Sequence, residues 1–528
     1  MHTALRGGPS SLSHRPLVRA VGGERTGTGH RFLVLGLDGG TFELLNPLME
    51  AGELPFLRSL VQRGVSAPLM SVYPSKTIPA WYSFATGLDP GTLGIFGFTE
   101  PNGGPGKSSL IQGYRPAEAL WDRLSRQGHR VGVLNFPVRS GYPINGYLIP
   151  GMFGENPTTY PADVRERLEE GLGEPLVAEL PPYRDSDRRE WLSLASQGVL
   201  QRAAAAEFLQ DVFHPDFLFV LLRETDRVEH QHWVECAAGA ARMPADLLDF
   251  WRAVDRACAR IDRAFRAQGE PAVTLVISDH GHGAAGAEFF TNRWLLDEGF
   301  LRLKPGAEPL RRKLLSRFLL ASDRFGPARR FVGAVADRLR GDETERRRHV
   351  DRWIGGDATF EAMAPKIDWA RTEAFSFPVP EGIYLNPYRK DRSPEQRREI
   401  LAEIRRRLEA YPDARIEVLE PREIYHEVLS PGAPGLLLRV NDMETDLRMD
   451  FSYPDPLLAH RPGYFYGSGV HRMDGILIGA GNGSAHGARI GPFSLLDVAP
   501  TVLEGMGISP PSTMAGRSFG AWLGTSTS

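Results

Sequence analysis

Six residues of this sequence could hold metal ions, and they recur after apolar runs. Asp38 closes RFLVLGLD (31–38). Asp226 and His230 follow DFLFVLL (216–222), within ETDRVEHQHW, and adjacent Asp279 and His280 lie at the end of AVTLVISDHG (272–281). His471 comes late, in GSGVHRMDG. Mixed carboxylate and imidazole donors suit zinc or another divalent transition ion and leave no role for a thiolate. Asp226 and His230 are four apart, so on a helical turn they face the same way. Taken singly, each is weak: an aspartate at a strand end also caps helices, and an isolated histidine is commonly a satisfied core or surface residue. Their joint occurrence is what points to a metal site.

A seventh residue could supply a nucleophile. In YPSKTIPAWYSFATG (73–87), Lys76 and Thr77 stand between Pro74 and Pro79, just before a stretch that reads as a buried helix ending at Gly87. A free hydroxyl is a poor nucleophile at neutral pH and needs a base or a metal. A helix start offers unpaired N–H groups and a positive dipole end, both suited to a phosphate. The competing reading is that Thr77 caps the helix.

The elements that must position these residues alternate along the chain. RFLVLGLD, RVGVLNFP (130–137), DFLFVLL and AVTLVISDHG are continuous apolar runs, the pattern of strands buried on both faces of a parallel sheet. Helical spacing appears in LPFLRSLVQRG (54–64), from about 189 to 210, in DLLDFWRAVDRACARIDRAFRAQG (246–269) and in SLLDVAPTVLEGMGI (494–508), with a further core-like run at GILIGAG (475–481). Strand–helix alternation predicts an α/β fold with a doubly wound, mostly parallel sheet and helices on both faces. In such sheets ligands bind at the carboxyl ends of the strands, where these acidic and histidine residues fall.

The 528 residues suffice for one large domain with an insertion, or for two or three domains. A formal charge of −3 argues against a nucleic-acid binder driven by overall basicity. Cys236 and Cys258 form no CxxC pair and imply neither a cysteine zinc site nor a disulfide framework. Residues 1–30, rich in Gly, Ser and Arg, lack a signal-peptide core and read as a disordered leader. No apolar run approaches the roughly 20 residues of a membrane span, so the expected location is cytoplasmic. Residues 308–352 carry a net charge of about +6 with interspersed apolar positions. They read as a solvated helical cap, or alternatively as a helix for a membrane surface or nucleic acid.

The order Asp38, PSKTIPAWYSFATG, TDRVEH, SDHG, GVHR resembles the alkaline phosphatase superfamily, and within it the type I phosphodiesterase/nucleotide pyrophosphatase family, in its bacterial and archaeal phosphohydrolase or phosphomutase group. NFPVRSGYPINGYLIPGM (135–152), TNRWLLDEGFL (291–301), KIDWARTEAF (366–375), EGIYLN (381–386), APGLLLRV (433–440) and LLDVAPTVLEGMGI (495–508) extend the likeness over about residues 31–520. The resemblance implies an alkaline-phosphatase-like core at 31–300 and 436–528, with an inserted helical or α+β cap at 301–435. It implies two divalent ions, usually zinc, with manganese an alternative. Asp38, Thr77, Asp279 and His280 would serve one, and Asp226, His230 and His471 the other. Thr77 would attack phosphorus, a phosphothreonine would form, and water would hydrolyse it. Lys76 and Asn135 are candidate substrate contacts, and His282, the extra histidine of DHGHG, has no assigned role.

The match is incomplete in one place. Where eukaryotic relatives place a phosphate-binding asparagine, this chain has LGIFGF (93–98). A sulfatase reading lacks the CxPxR-like motif, and GGPGKSS (103–109) lacks the first glycine of a P-loop. The expected function is therefore hydrolysis of a small-molecule phosphate ester, a phosphodiester or phosphonate-type monoester in preference to a simple monoester. A phosphomonoesterase, phosphomutase or phosphotransferase would use the same site. An inactive scaffold binding through the Arg-rich segment is the alternative of a different class.

Overall fold

The computed structural model describes residues 29–101, 108–114, 116–151, 157–177, 179–269, 271–306, 363–428, 430, 432–449, 451, 455–459 and 468–525. The Arg-rich segment 308–352 and all but the last two residues of the expected leader lie outside the described residues.

The central sheet is built from the apolar runs. Strand β1 (Arg31–Leu37) is buried along its whole length. It pairs in parallel with β5 (Phe217–Leu222) on one side and β6 (Ala272–Ile277) on the other. Beyond β5 lie β3 (Val131–Phe136) and β4 (Gly146–Pro150), also parallel. Beyond β6 the sheet continues through β9 (Asp474–Ala480) to β2 (Val65–Met70), and β9 runs antiparallel to both its neighbours. The short β10 (Ala488–Arg489) and β11 (Phe493–Ser494) add to β2, giving nine strands in the order β10-β2-β9-β6-β1-β5-β3-β4 with β11 also on β2. The mostly parallel, helix-covered sheet is the expected one.

Alternation along β1 separates two cores. Leu33, Leu35 and Leu37 face a layer made by helices α1 (Phe42–Glu50), α2 (Pro55–Arg63), α4 (Arg188–Phe213) and α6 (Ala245–Ala267). Phe32 and Val34 face the layer that holds α3 (Thr77–Thr86) and α7 (Val498–Gly505). This period-two split of a strand buried on both sides explains why β1 reads as an unbroken apolar run. A third apolar cluster gathers residues from Phe289 to Phe451 around a small sheet of strands Ala374–Phe375, Gly382–Leu385, Leu436–Val440 and Ile416–Leu419.

The run AVTLVISDHG is a strand only to Ile277. Ser278 then hydrogen-bonds the Gly40 carbonyl and accepts from the Ile476 N–H, which turns the chain across the strand ends. A second strand, β7 (Gly281–Ala284), starts after this turn and pairs antiparallel with β8 (Gly469–Arg472).

Candidate metal centre

Four short segments bring the chemistry-bearing residues to one edge of the sheet. Asp38 follows β1, and Asp279 and His280 lie in the turn between β6 and β7. Asp226 and His230 sit one turn apart on helix α5 (Glu224–Cys236), which begins right after β5. His471 lies on β8, opposite His282 of β7 in the antiparallel register. The expected metal-type ligands converge from remote parts of the chain.

Their nitrogen atoms aim inward. His230 Nε2 lies 2.9 Å from His471 Nε2, and the two are 3.4 and 3.3 Å from Asp226 Oδ1. His280 Nε2 lies 3.3 Å from Asp279 Oδ2, 3.6 Å from Asp38 Oδ1 and 4.0 Å from Asp226 Oδ1. Each of these rings has its Nδ1 against a backbone carbonyl: Gly469 for His230, Ser75 for His471 and Gly281 for His280. A carbonyl can only accept, so the proton sits on Nδ1 and the Nε2 lone pair faces the centre. Two sets of donors can each close on one ion: Asp226, His230, His282 and His471; and Asp38, Asp226 and His280. Asp226 stands in both.

The electrostatics fit a cation. Asp38 and Asp279 are pushed well above the usual carboxylate range, by burial first and then by neighbouring carboxylates. Burial raises Asp226 too, whereas any proton on the neighbouring His230, His282 or His280 draws its carboxyl the other way, below the usual range. Burial drives His280 and His471 well below the ordinary imidazole range, so both rings stay neutral and able to ligate. Asp38 Oδ1, Asp226 Oδ1, Asp279 Oδ2, His280 Nε2 and His282 Nε2 are all buried without a hydrogen-bond partner. Buried polar atoms are rarely orphaned, at about 1–3 kcal/mol each. Five orphans facing one another are the donor atoms divalent ions would take up.

Thr77 is not a cap. Lys76 holds the N-cap position of α3 and makes no side-chain cap bond, and Thr77 is the first helical residue. The helix's own hydrogen bonding starts with Ala80 N–H to the Lys76 carbonyl, and Pro79, one of the positions that would otherwise leave an N–H unpaired, brings none. The helix start is clamped at both ends to the donor groups. Ser75 carries the carbonyl that holds His471, and Trp81 Nε1 donates to Asp38 Oδ2 at 3.2 Å. Thr77 lies between these two contacts in sequence, 5% exposed.

The two candidate substrate contacts are both engaged. Lys76 Nζ lies 2.8 Å from Glu381 Oε1, a residue of the third apolar unit's loops. The Asn135 amide donates to the Leu221 carbonyl at 2.8 Å, its backbone in the left-handed region at φ +68°. That bond ties β3 to the end of β5. In LGIFGF, Ile95 and Phe96 are buried in apolar clusters.

Two residues escaped the sequence reading as site members. His282 is buried, with Nε2 3.6 Å from Asp226 Oδ1 and Nδ1 2.9 Å from Glu229 Oε2. The available signal was the DHGH spacing: two residues apart on a strand share a face. Glu229 had none, because its neighbours His230 and Asp226 drew the assignment and only the fold turns its side chain toward His282.

A family profile described as type I phosphodiesterase / nucleotide pyrophosphatase matches residues 32–358. Comparison with curated protein sequences finds no match. Among solved structures, phosphonoacetate hydrolase from Sinorhizobium meliloti 1021, crystallised with phosphonoformate, is similar in fold. It is 16% identical, with a TM-score of 0.50, and the alignment covers 90% of this chain and 95% of that one.

Proposed function

This chain belongs to the type I phosphodiesterase/nucleotide pyrophosphatase family, and we propose that it hydrolyses a small-molecule phosphate ester through a phosphothreonine on Thr77 at a two-metal site. The observation that carries this reading is the set of five orphaned donor atoms at the sheet edge to which the start of α3 is tied through Ser75 and Trp81. Asp38, Asp279 and His280, with Thr77, would hold one divalent ion, zinc or manganese, and Asp226, His230 and His471 the other. When bound, such a pair supplies Lewis-acid polarisation and neutralises charge on the attacking and leaving oxygens.

The chain's own residues do the rest. The N-terminus of α3, ten residues long, presents its positive end to the phosphoryl group. Thr77 Oγ1 loses its proton to solvent and forms the bond to phosphorus as the ester P–O bond breaks. The leaving alkoxide takes a proton from water. A second water then attacks the phosphothreonine, restoring Thr77 and releasing the phosphoryl product. Ser75 and Trp81 keep the helix start in register with His471 and Asp38 throughout. The unit around the third apolar cluster reaches this helix through Glu381–Lys76 and through the Tyr425 hydroxyl on the Tyr73 carbonyl. These ties support its reading as the cap that selects substrate, with a phosphodiester or phosphonate-type monoester favoured. A fold shared with a phosphonate hydrolase is compatible with that choice.

The test compares bis-p-nitrophenyl phosphate with p-nitrophenyl phosphate on zinc- or manganese-loaded protein. Faster diester cleavage is expected, with Thr77→Ala losing several decades of kcat and keeping its bound metal. A faster monoester reaction would move the assignment to a phosphatase or phosphomutase. Undiminished activity in Thr77→Ala would refute the covalent route.

A further inference from the structure

His282 sits where three donors already meet. Its Nε2 is orphaned and buried, the same condition as that of His280 Nε2. It shares a face with His280 because the two are separated by one residue at the start of β7, and it opposes His471 across the β7–β8 ribbon. Four donor atoms, from Asp226, His230, His282 and His471, lie within 4.8 Å of one another. For metal–ligand bonds of about 2.05 Å, tetrahedral geometry requires donor separations near 3.3 Å. The observed spacings from Asp226 Oδ1 to His230, His471 and His282 Nε2 are 3.4, 3.3 and 3.6 Å. The His282 spacing is of the same size as the other two.

The far side of the ring is also prepared. His282 Nδ1 lies 2.9 Å from Glu229 Oε2 and 3.4 Å from the Gly39 carbonyl. Glu229 is fully buried, and among the described residues His282 is its ion-pair partner. Gly39 has φ +75°, and a Cβ there would fall 2.4 Å from His282 Nδ1. Only glycine gives both the left-handed backbone and the room for this ring. The Gly39 carbonyl can only accept, so a proton on Nδ1 serves it and leaves the Nε2 lone pair directed at Asp226. A carboxylate behind a ligating imidazole fixes its tautomer and raises its basicity.

We infer that His282, held by Glu229, is a fourth protein ligand to the ion bound by Asp226, His230 and His471. This inference rests on the two-metal reading and deepens it. With four protein donors that ion has no open tetrahedral position, so a substrate oxygen can join only as a fifth ligand. The centre then suits ions that readily take five ligands, manganese or cobalt as well as zinc.

Two measurements test this. Wild-type protein is stripped with a chelator, reloaded with Co2+ or Mn2+ and crystallised, and the ions are located by anomalous scattering. An ion about 2.1 Å from His282 Nε2 is expected. An ion on Asp226, His230 and His471 with His282 beyond about 3 Å would overturn the inference and leave the two-metal reading standing. No ion at either donor set would overturn both. In solution, Co2+ titration of wild type, His282→Gln and Glu229→Gln is followed by visible absorption and chelator competition. His282→Gln should change the Co2+ bands and weaken one of two ions by roughly 100-fold, and Glu229→Gln should weaken the same ion by roughly tenfold. Unchanged bands and affinity in a folded His282→Gln would refute it. Should that variant not fold, the wild-type crystal structure decides alone.

Discussion

Replacing Trp81 with phenylalanine should damage metal binding more than a core substitution of that size would suggest. Trp81 is fully buried, and its ring meets Phe84 and Phe219 edge-on at centroid distances of 5.7 and 5.5 Å. Its Nε1–H donates to Asp38 Oδ2, while Asp38 Oδ1 has no hydrogen-bond partner. Phenylalanine keeps an aromatic ring in the core and removes that donor. The lost bond to a charged acceptor is worth about 1.5–3 kcal/mol, and the lost indole atoms leave a small cavity worth about 1–2 kcal/mol more. Folding stability should therefore fall by about 2.5–5 kcal/mol. The two parts separate by assay. Both terms appear in urea denaturation of metal-free protein, whereas only the carboxylate term reaches the ion. Asp38 already sits well above the usual carboxylate range through burial, and the Trp81 bond, more than the Arg223 charge, draws it back down. Without that bond the carboxyl holds its proton more tightly and is free to turn, so affinity for the ion on Asp38, Asp279 and His280 should fall about 10–100-fold. Chelator competition on wild type and Trp81→Phe measures this directly. A variant that loses stability but keeps metal affinity within about twofold would show that Trp81 is only packing, and the placement of α3 against Asp38 would lose its functional meaning.

Two further outcomes follow from ion pairs outside the metal donors. Glu381→Gln removes the partner of Lys76, whose side chain is 24% exposed and can still reach water. The cost should be about 1–2 kcal/mol in urea denaturation, below that of breaking a fully buried pair, with a rise in KM as the tie to the helix start loosens. No change in either quantity would refute a coupling between that loop and α3. Glu373 is held below the usual range by its hydrogen bond to Arg392 and by Arg389, 2.7 Å away. A carboxylate lowered on folding contributes stability above its unfolded value near 4.3, and the contribution is lost as pH falls through the folded value. Glu373→Gln should thus cost about 1–2 kcal/mol at pH 7, and the difference from wild type should shrink steadily as pH falls below about 4. A difference that persists in acid would mean the effect is packing.

Much of the site was legible because its residues obey local rules. A strand buried on both faces needs an unbroken apolar run, so RFLVLGL, FLFVLL and AVTLVI announce themselves, and the residue after such a run must lie at the sheet edge. The four-residue spacing of Asp226 and His230 carried over directly, since α5 begins immediately after β5. Whether Thr77 caps its helix was not legible. A cap and a nucleophile both want a hydroxyl at a helix start, and the observed start at Thr77, one residue after the cap position, removes the cap reading alone.

Composition, periodicity and motif order are properties of neighbours along the chain, and they determined the fold class, the strand ends and the identity of most donor atoms. Which of these groups come within reach of one another, and in which direction each ring points, depended on contacts between segments far apart in sequence. His230 is oriented by Gly469, His471 by Ser75, and His282 by Glu229 and Gly39. Lys76 and Asn135 likewise found partners, Glu381 and Leu221, that no local pattern names. A side chain's lone pair is aimed by whatever takes its other polar atom, and in this protein those acceptors arrive only when the sheet, the helix starts and the β7–β8 ribbon have closed on one another.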